Sequence, residues 1–300
     1  MAAHEAQATG TGGRGRSLSP PLAVLRARHL VFTDLDGTLL DHHTYSWAAA
    51  KEALAEIDRR RVPLILVTSK TRAELELLRR RMGHTHPFIT ENGGGIFIPH
   101  GYFNLHIEGA HRIAHYHCLS LSRPYAEMVA ALEEIASAAG VGVVGFHQMS
   151  AREIAQNTGL ALREAKLAKQ RDFDEPFFFV GGEKQAETKF TREAHRRGME
   201  VVRGGRFWHL VAGSDKGRAA RLLAGLYQKA WHGRLRTVGL GDSPNDLSLL
   251  AAVDQAVLLP RPDGSFAEEV VRQLPHVGRG SAPGPSGWNQ AVLRILAAGE

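Results

Sequence analysis

A single cysteine among 300 residues, Cys118, cannot close an intrachain disulfide, so covalent cross-links play no part in holding this fold. No apolar run approaches the roughly 20 residues that span a bilayer. The longest, such as Val62 to Thr68 and Phe177 to Val180, are the length of strands. The N-terminus has no apolar stretch ahead of a cleavage site, and neither a zinc-knuckle spacing nor an aromatic-rich RNA-binding signature occurs. These absences set aside a membrane protein, a disulfide scaffold and the commoner nucleic-acid modules, and they make the cytoplasm the expected location. Acidic residues are also the minority, 31 against 37 basic, for a net charge of +6. Much of the excess is arginine in short runs, Arg59 to Arg61 and Arg79 to Arg81, at polar helix ends where cations suit the C-terminal dipole.

What is present is ordinary soluble composition, 43% hydrophobic and 23% charged, in a length suited to about two domains. Residues 1–28 carry no sustained apolar period and read as a disordered extension. From Leu30 onward strands and helices alternate. Leu30 to Thr33, Val62 to Thr68 and Pro87 to Thr90 are strand-like, and Trp47, Ala50, Leu54 and Ile57, then Leu75, Leu78 and Met82, recur at helical spacing. That rhythm implies a parallel sheet with right-handed crossovers. The middle of the chain changes style, with helical stretches from about Pro124 to Ala139, through Lys169 and near Ala186 to Arg197 among short strands at Val141 to Phe146 and Phe177 to Val180. The first style returns after Phe207 to Leu210. The expected fold is therefore α/β: a Rossmann-like doubly wound parallel sheet over 29–102 and 211–300, with an inserted α+β cap over 103–210.

The chemistry concentrates at strand ends. Asp34-Leu35-Asp36-Gly37-Thr38 follows the first strand directly and puts two carboxylates at the carboxyl edge of the sheet, where open α/β sheets bind ligands. A carboxylate is already ionised at neutral pH and can attack a phosphoryl group once a cation cancels their repulsion. Mg²⁺ suits such a place, because it takes oxygen ligands and keeps waters beside one or two carboxylates. The second carboxylate can protonate a leaving oxygen and then deprotonate a water. Alone, Asp-x-Asp-Gly is equally an Asp-Gly turn or a piece of a calcium loop. Thr68 at the end of the second strand, Lys216 opening a helix, and Gly239 to Asp246 closing another strand with further carboxylates add a hydroxyl, a cation and anions in one chain order.

On these four groups the chain resembles the haloacid dehalogenase-like hydrolase superfamily. The resemblance implies Asp34 as a nucleophile forming an aspartyl-phosphate, Asp36 as general acid/base, Thr68 as a phosphate donor and Lys216 as the cation bridging nucleophile and phosphate. It implies Mg²⁺ held by Asp34, the main-chain carbonyl of Asp36 and Asp242, with Asp246 as a further or outer ligand. Finer motifs, among them His43 to Trp47, Thr68-Ser69-Lys70-Thr71, Glu91-Asn92-Gly93-Gly94, Asp174-Glu175, Gly205 to His209 and Pro283 to Trp288, resemble the branch that dephosphorylates glycosylated phosphoglycerates. The substrate so implied is 2-O-mannosyl-3-phosphoglycerate, a small sugar phosphate bearing a carboxylate. Expected substrate-binding residues are Ser69, Lys70, Asn92, Gly93, Arg171, Glu175, Arg206, His209 and Asn245, arginine being favoured because its fork grips a carboxylate bidentately.

Other readings stay open on the sequence. The glucosyl analogue or another sugar phosphate fits the same motifs. A sugar phosphomutase uses the same nucleophile but returns the phosphate to substrate. A non-catalytic nucleic-acid or partner-binding module would use the net positive charge alone. Neither a membrane nor a nucleic-acid partner is expected, and oligomeric state is not legible. His111, His115 and His117 lack a complete transition-metal ligand set. Phe177 to Phe179 reads as a buried strand, and Cys118 as an inert thiol.

Overall fold

The computed structural model describes residues 28–181, 183–203 and 207–298. The expected N-terminal extension and Arg206 lie outside the described residues. The first stretch of chain forms β1 (Arg28–Thr33), α1 (Lys51–Arg59), β2 (Leu64–Val67), α2 (Arg72–Met82), β3 (Phe88–Thr90), β4 (Gly95–Pro99), β5 (His111–Ile113) and β6 (Tyr116–Ser120). The middle forms α3 (Tyr125–Ala139), β7 (Val143–Gly145), α4 (Ala151–Thr158), α5 (Leu162–Ala168), β8 (Glu175–Phe179), α6 (Glu183–Arg196), β9 (Glu200–Arg203) and β10 (Trp208–Val211). The last stretch forms α7 (Lys216–Trp231), β11 (Leu235–Gly241), α8 (Leu247–Ala251), β12 (Gln255–Leu258), α9 (Glu268–Gln273), β13 (Gly278–Arg279) and α10 (Gly284–Ala298).

One nine-stranded sheet has the order β13-β12-β11-β1-β2-β3-β4-β6-β5. It is parallel from β13 to β3 and antiparallel from there to β5. Strand β1 explains why the sheet is wound on both faces. Leu30 and Phe32 pack with Leu223 and Tyr227 of α7 on one side, while Val31 packs with Ile57 of α1 and Val292 of α10 on the other. A strand buried on both faces must be apolar at every position, as Leu-Val-Phe is. Trp288 of α10 is buried completely, and its indole N–H donates to Thr33 Oγ1 at 2.9 Å, tying the last helix beneath the first strand.

The division between core and cap falls later than residue 103. β5 and β6 pair onto β4 and extend the large sheet, so residues through Ser120 belong to the core. Those strands are short and followed no helix, which hid their attachment to a mainly parallel sheet. The cap then carries its own antiparallel sheet, β7-β8-β10-β9. Alternation along β8 and β10 sorts its faces. Phe177, Trp208 and Leu210 pack under α3 and α6 with Met128, Leu132 and Phe190, whereas Phe178 and Phe207 turn to the other face. Phe177 and Phe179 are buried as expected, as is the thiol of Cys118. No helix among the described residues is long and apolar enough to cross a membrane.

Candidate active site

Asp34 continues β1 by one residue, its amide donating to Leu240 O of β11 at 2.9 Å. The following turn presses close to the β11 edge because Gly37 has φ +80°, and a Cβ there would stand 2.6 Å from Asp242 Oδ2. Thr38 Oγ1 donates to Asp242 Oδ1 at 3.1 Å. Across the edge, Lys216 opens α7 beside Asp215, whose side chain caps the helix by accepting from Arg218 N at 2.6 Å. The buried Lys216 ammonium donates to Asp34 Oδ1 at 2.7 Å and to Asp246 Oδ1 at 2.6 Å. The second oxygen of Asp246 accepts from the amides of Asp242 and Ser243, each at 3.1 Å.

Asp34, Asp242 and Asp246 thus bring carboxylate oxygens within 4.8 Å of one another. Three carboxylates against one ammonium leave excess negative charge out of water. Burial, followed by the Asp246 charge, pushes Asp34 well above the usual carboxylate range and Asp242 up to about 7. Burial works against the charge on Lys216, but Asp246 and Asp34 outweigh it and raise its pKa. An all-oxygen set of this kind, under-neutralised by protein, fits a hard divalent cation. A second ion pair lies beside it. Lys70 Nζ meets Asp36 Oδ2 at 2.8 Å and stands 5.2 Å from the Tyr45 ring centroid, while Asp36 Oδ1 is a buried oxygen with no hydrogen-bond partner among the described residues.

These carboxylates form one end of a cavity of about 220 Å³ between the sheet edge and the open face of the cap. Asp34, Asp36 and Asp242 lie at the core end, and Phe146, Pro176, Phe207 and His209 come from the cap. The wall between contains Lys70, Arg171 and Tyr45.

The comparisons with known proteins bear on this arrangement. A family profile of haloacid dehalogenase-like hydrolases matches residues 31–118. A glucosyl-3-phosphoglycerate/mannosyl-3-phosphoglycerate phosphatase of Methanococcoides burtonii is 40% identical over 269 residues, covering 90% of this chain and 97% of that one. The chain belongs to the haloacid dehalogenase-like hydrolases. A protein of the same description from Persephonella marina is 39% identical over 271 residues, with 89% and 97% of the chains covered. Among solved structures, a haloacid dehalogenase-like hydrolase from Bacteroides thetaiotaomicron superposes with a TM-score of 0.61 at 18% identity, covering 89% of this chain and 99% of that one. The fold expected from sequence is the fold of this family, and the chain is a phosphoric monoester hydrolase.

Within the hydrolase, the structure sorts the expected residues. Asp34, Asp36, Ser69, Lys70, Arg171, His209, Asp242 and Asn245 line the cavity. Thr68 and Lys216 stand just behind it, each 1% exposed, with Thr68 Oγ1 accepting from Lys70 N at 3.2 Å. One oxygen of the Asp36 carboxylate, Oδ2, is held by Lys70 at 2.8 Å. Arg171 touches the cavity, but its donors are largely spent: Nε goes to Asp174 Oδ1 at 2.6 Å, Nη2 to Ser69 O at 2.9 Å and also to Asp174, and Nη1 to Ala168 O at 3.4 Å. It is a keystone between cap and core. Asn92 and Gly93 do not line the cavity either. They belong to a run of left-handed backbone, Glu91 at φ 49°, Asn92 at 55° and Gly93 at 92°, and a Cβ on Gly93 would stand 2.3 Å from Asp215 O. This turn seats the end of β3 against the residue before Lys216.

Glu175 is misplaced in the sequence reading. It shares the parity of Phe177 and Phe179, so it faces α3 instead of the cavity, fully buried, with Oε1 accepting from His147 N at 3.0 Å and meeting His147 Nδ1 at 2.8 Å. Its neighbour Pro176 lines the cavity in its stead. Arg206 lies outside the described residues. Asp174, quoted in the Asp174-Glu175 motif without a role, is 1% exposed and bonded to Arg171, Asn92 and His209. Burial opposes its charge, but Arg171 and then His209 hold it below the usual carboxylate range. Its signal in the sequence was its place in the Asp174-Glu175 motif. Glu91, buried completely, likewise accepts from the amides of Phe173 at 2.8 Å and Asp174 at 3.0 Å.

Proposed function

We propose that this hydrolase removes phosphate from a glycosylated 3-phosphoglycerate, mannosyl or glucosyl, through a covalent aspartyl-phosphate. The observation that carries the reading is the Asp34 carboxylate, paired on one oxygen with Lys216 at 2.7 Å and opening at the floor of a cavity whose opposite wall is the cap. Its other oxygen is the nucleophile for phosphorus. Asp34 attacks, the phosphorus bond to the glycerate oxygen breaks, and Asp36 gives that oxygen a proton from its Oδ1, unpartnered among the described residues. Asp36 then takes a proton from water as the water attacks phosphorus, which frees Asp34 and releases phosphate. Lys216 holds Asp34 in line throughout, and the Thr68 hydroxyl behind the nucleophile is placed to donate to a phosphoryl oxygen. Asp34, Asp242 and the Asp36 carbonyl, with Asp246 behind, would hold Mg²⁺, which when bound supplies the positive charge that lets an anionic carboxylate approach a phosphate.

The non-phosphate part of the substrate would meet Lys70 through its carboxylate and His209, Asn245 and the aromatic rings of Tyr45 and Phe207 through its sugar. The relatives of 39–40% identity carry both sugars in their names, which supports a site tolerant of either epimer. The cytoplasm is the compartment for such a metabolite, and no nucleic-acid partner enters this reading. Release of inorganic phosphate across a panel of phosphate esters, without any bisphosphate activator, tests it. Glucosyl- and mannosyl-3-phosphoglycerate should exceed simple sugar phosphates in kcat/KM by at least about tenfold, one charge-assisted contact's worth. A requirement for bisphosphate, with phosphate returned to the sugar, would instead favour a phosphomutase.

A further inference from the structure

Asp174 sits outside the reaction centre, and nothing in the phosphoryl chemistry needs it. Yet it is a buried carboxylate at the junction of both domains. One oxygen meets the Arg171 guanidinium. The other accepts from Asn92 Nδ2 at 3.0 Å and meets His209 Nδ1 at 2.9 Å. Asn92 in turn accepts from Asn245 Nδ2 at 3.5 Å, one residue from the Asp246 that holds Lys216. An ionised carboxylate only accepts, so the proton between Asp174 and His209 sits on Nδ1. In neutral His209 that leaves Nε2 as a lone pair, and His209 lies on the cavity wall.

We propose that Asp174 is a positioning residue which fixes the ring and tautomer of His209, so that Nε2 accepts a hydroxyl hydrogen from the sugar of the substrate. The inference rests on the function proposed above, which supplies the sugar. Geometry favours it over a purely structural role. Arg171 and Asn92 anchor Asp174 to Ser69 and the left-handed turn of the core, so the carboxylate holds a cap side chain in register with core loops. His209 is also the register partner of Pro176, in the middle of the cap strand pair that faces the cavity. An Nε2–H tautomer would point a second donor at a hydroxyl and leave the Asp174 oxygen facing a lone pair.

The experiment is a double-mutant cycle at pH 8 with glucosyl-3-phosphoglycerate and an aryl phosphate, using Asp174→Asn, His209→Ala and the pair. Each single change should raise KM for the glycosyl substrate by about tenfold with a smaller change in kcat, as loss of one oriented hydrogen bond does. The pair should be no worse than His209→Ala alone. Losses that multiply, or an Asp174→Asn loss equal on both substrates, would overturn the proposal. If Asp174→Asn fails to fold, the nitrogen-15 signals of His209 in the wild-type protein, assigned by their absence in His209→Ala, decide the point. A protonated Nδ1 and bare Nε2 are expected, and the opposite tautomer overturns it. If the wild type turned over no glycosyl phosphoglycerate, the functional reading would fail by itself. The nitrogen signals would still decide the pairing, and the cycle would be run on the ester the enzyme does hydrolyse.

Discussion

Removing divalent cations should make the stability of this protein fall as pH rises from 5 to 8. The cause is the carboxylate cluster. At an effective dielectric of 20, two carboxylate oxygens at the 4.8 Å limit of the cluster repel by about 3.5 kcal/mol. Burial first and the Asp246 charge second raise Asp242 from an ordinary 3.8 to about 7, with the Thr38 hydroxyl and Lys216 opposing them. Because the folded value lies above the unfolded one, the folded protein binds the extra proton. Its stabilisation is full below pH 4 and is lost as pH climbs through 7. At pH 5 about 3 kcal/mol of it remains, and at pH 8 almost none. For a chain of this size that difference is roughly 5 °C in Tm. Mg²⁺ at a hundred times its Kd contributes about 2.7 kcal/mol, enough to restore the pH 8 value. Thermal unfolding of metal-free protein across this range, beside Asp242→Asn, measures the effect. The variant should lack the extra slope and gain less from Mg²⁺. Equal slopes in the two proteins would refute the account of the cluster.

Other outcomes follow from individual side chains. Asp34→Asn should fold normally and lose turnover, because the near-isosteric amide cannot attack phosphorus; activity near wild type in a phosphate-release assay would remove Asp34 from the nucleophile's role. Gly93→Ala should destabilise the protein by about 3 kcal/mol or more, since its φ of 92° and the Asp215 carbonyl 2.3 Å from the new Cβ leave no relief, and an unchanged denaturation midpoint would count against that contact. Glu175→Gln should leave KM within about twofold while lowering stability, as befits a side chain on the far face of the cap sheet; a tenfold rise in KM would return it to the substrate.

The core of this enzyme was legible because its chemistry sits at strand ends. Asp34, Thr68, Lys216 and Asp242 each lie one or two residues from the edge of a strand or the start of a helix, and chain order alone brings such positions to one sheet edge. The cap was less legible for a reason visible in β8. A one-residue difference in parity decides between cavity and core, and Glu175-Pro176 offers no alternation to read, so the charged residue drew attention that belonged to the proline. The roles of Asp174 and Glu91, both within motifs read from the sequence, escaped for the opposite reason. Both are carboxylates that bind backbone amides or other buried side chains, and nothing in sequence separates them from solvated acids. The boundary at 103 failed because β5 and β6 join the large sheet by antiparallel pairing, which no helical crossover announces.

The central claim is that Asp34 carries the phosphoryl group. With an aryl phosphate, whose leaving oxygen departs without a proton, Asp36→Asn should slow release of that group from the enzyme more than its formation, so the covalent species should accumulate when the variant meets the aryl phosphate and Mg²⁺. Acid quenching, borohydride reduction and peptide mass spectrometry then read the site directly. The account expects position 34 converted to homoserine in the substrate-treated variant and not in Asp34→Asn treated alike. Conversion at another carboxylate would contradict it, as would wild-type turnover of the same substrate with no trapped species in the variant under any quench time.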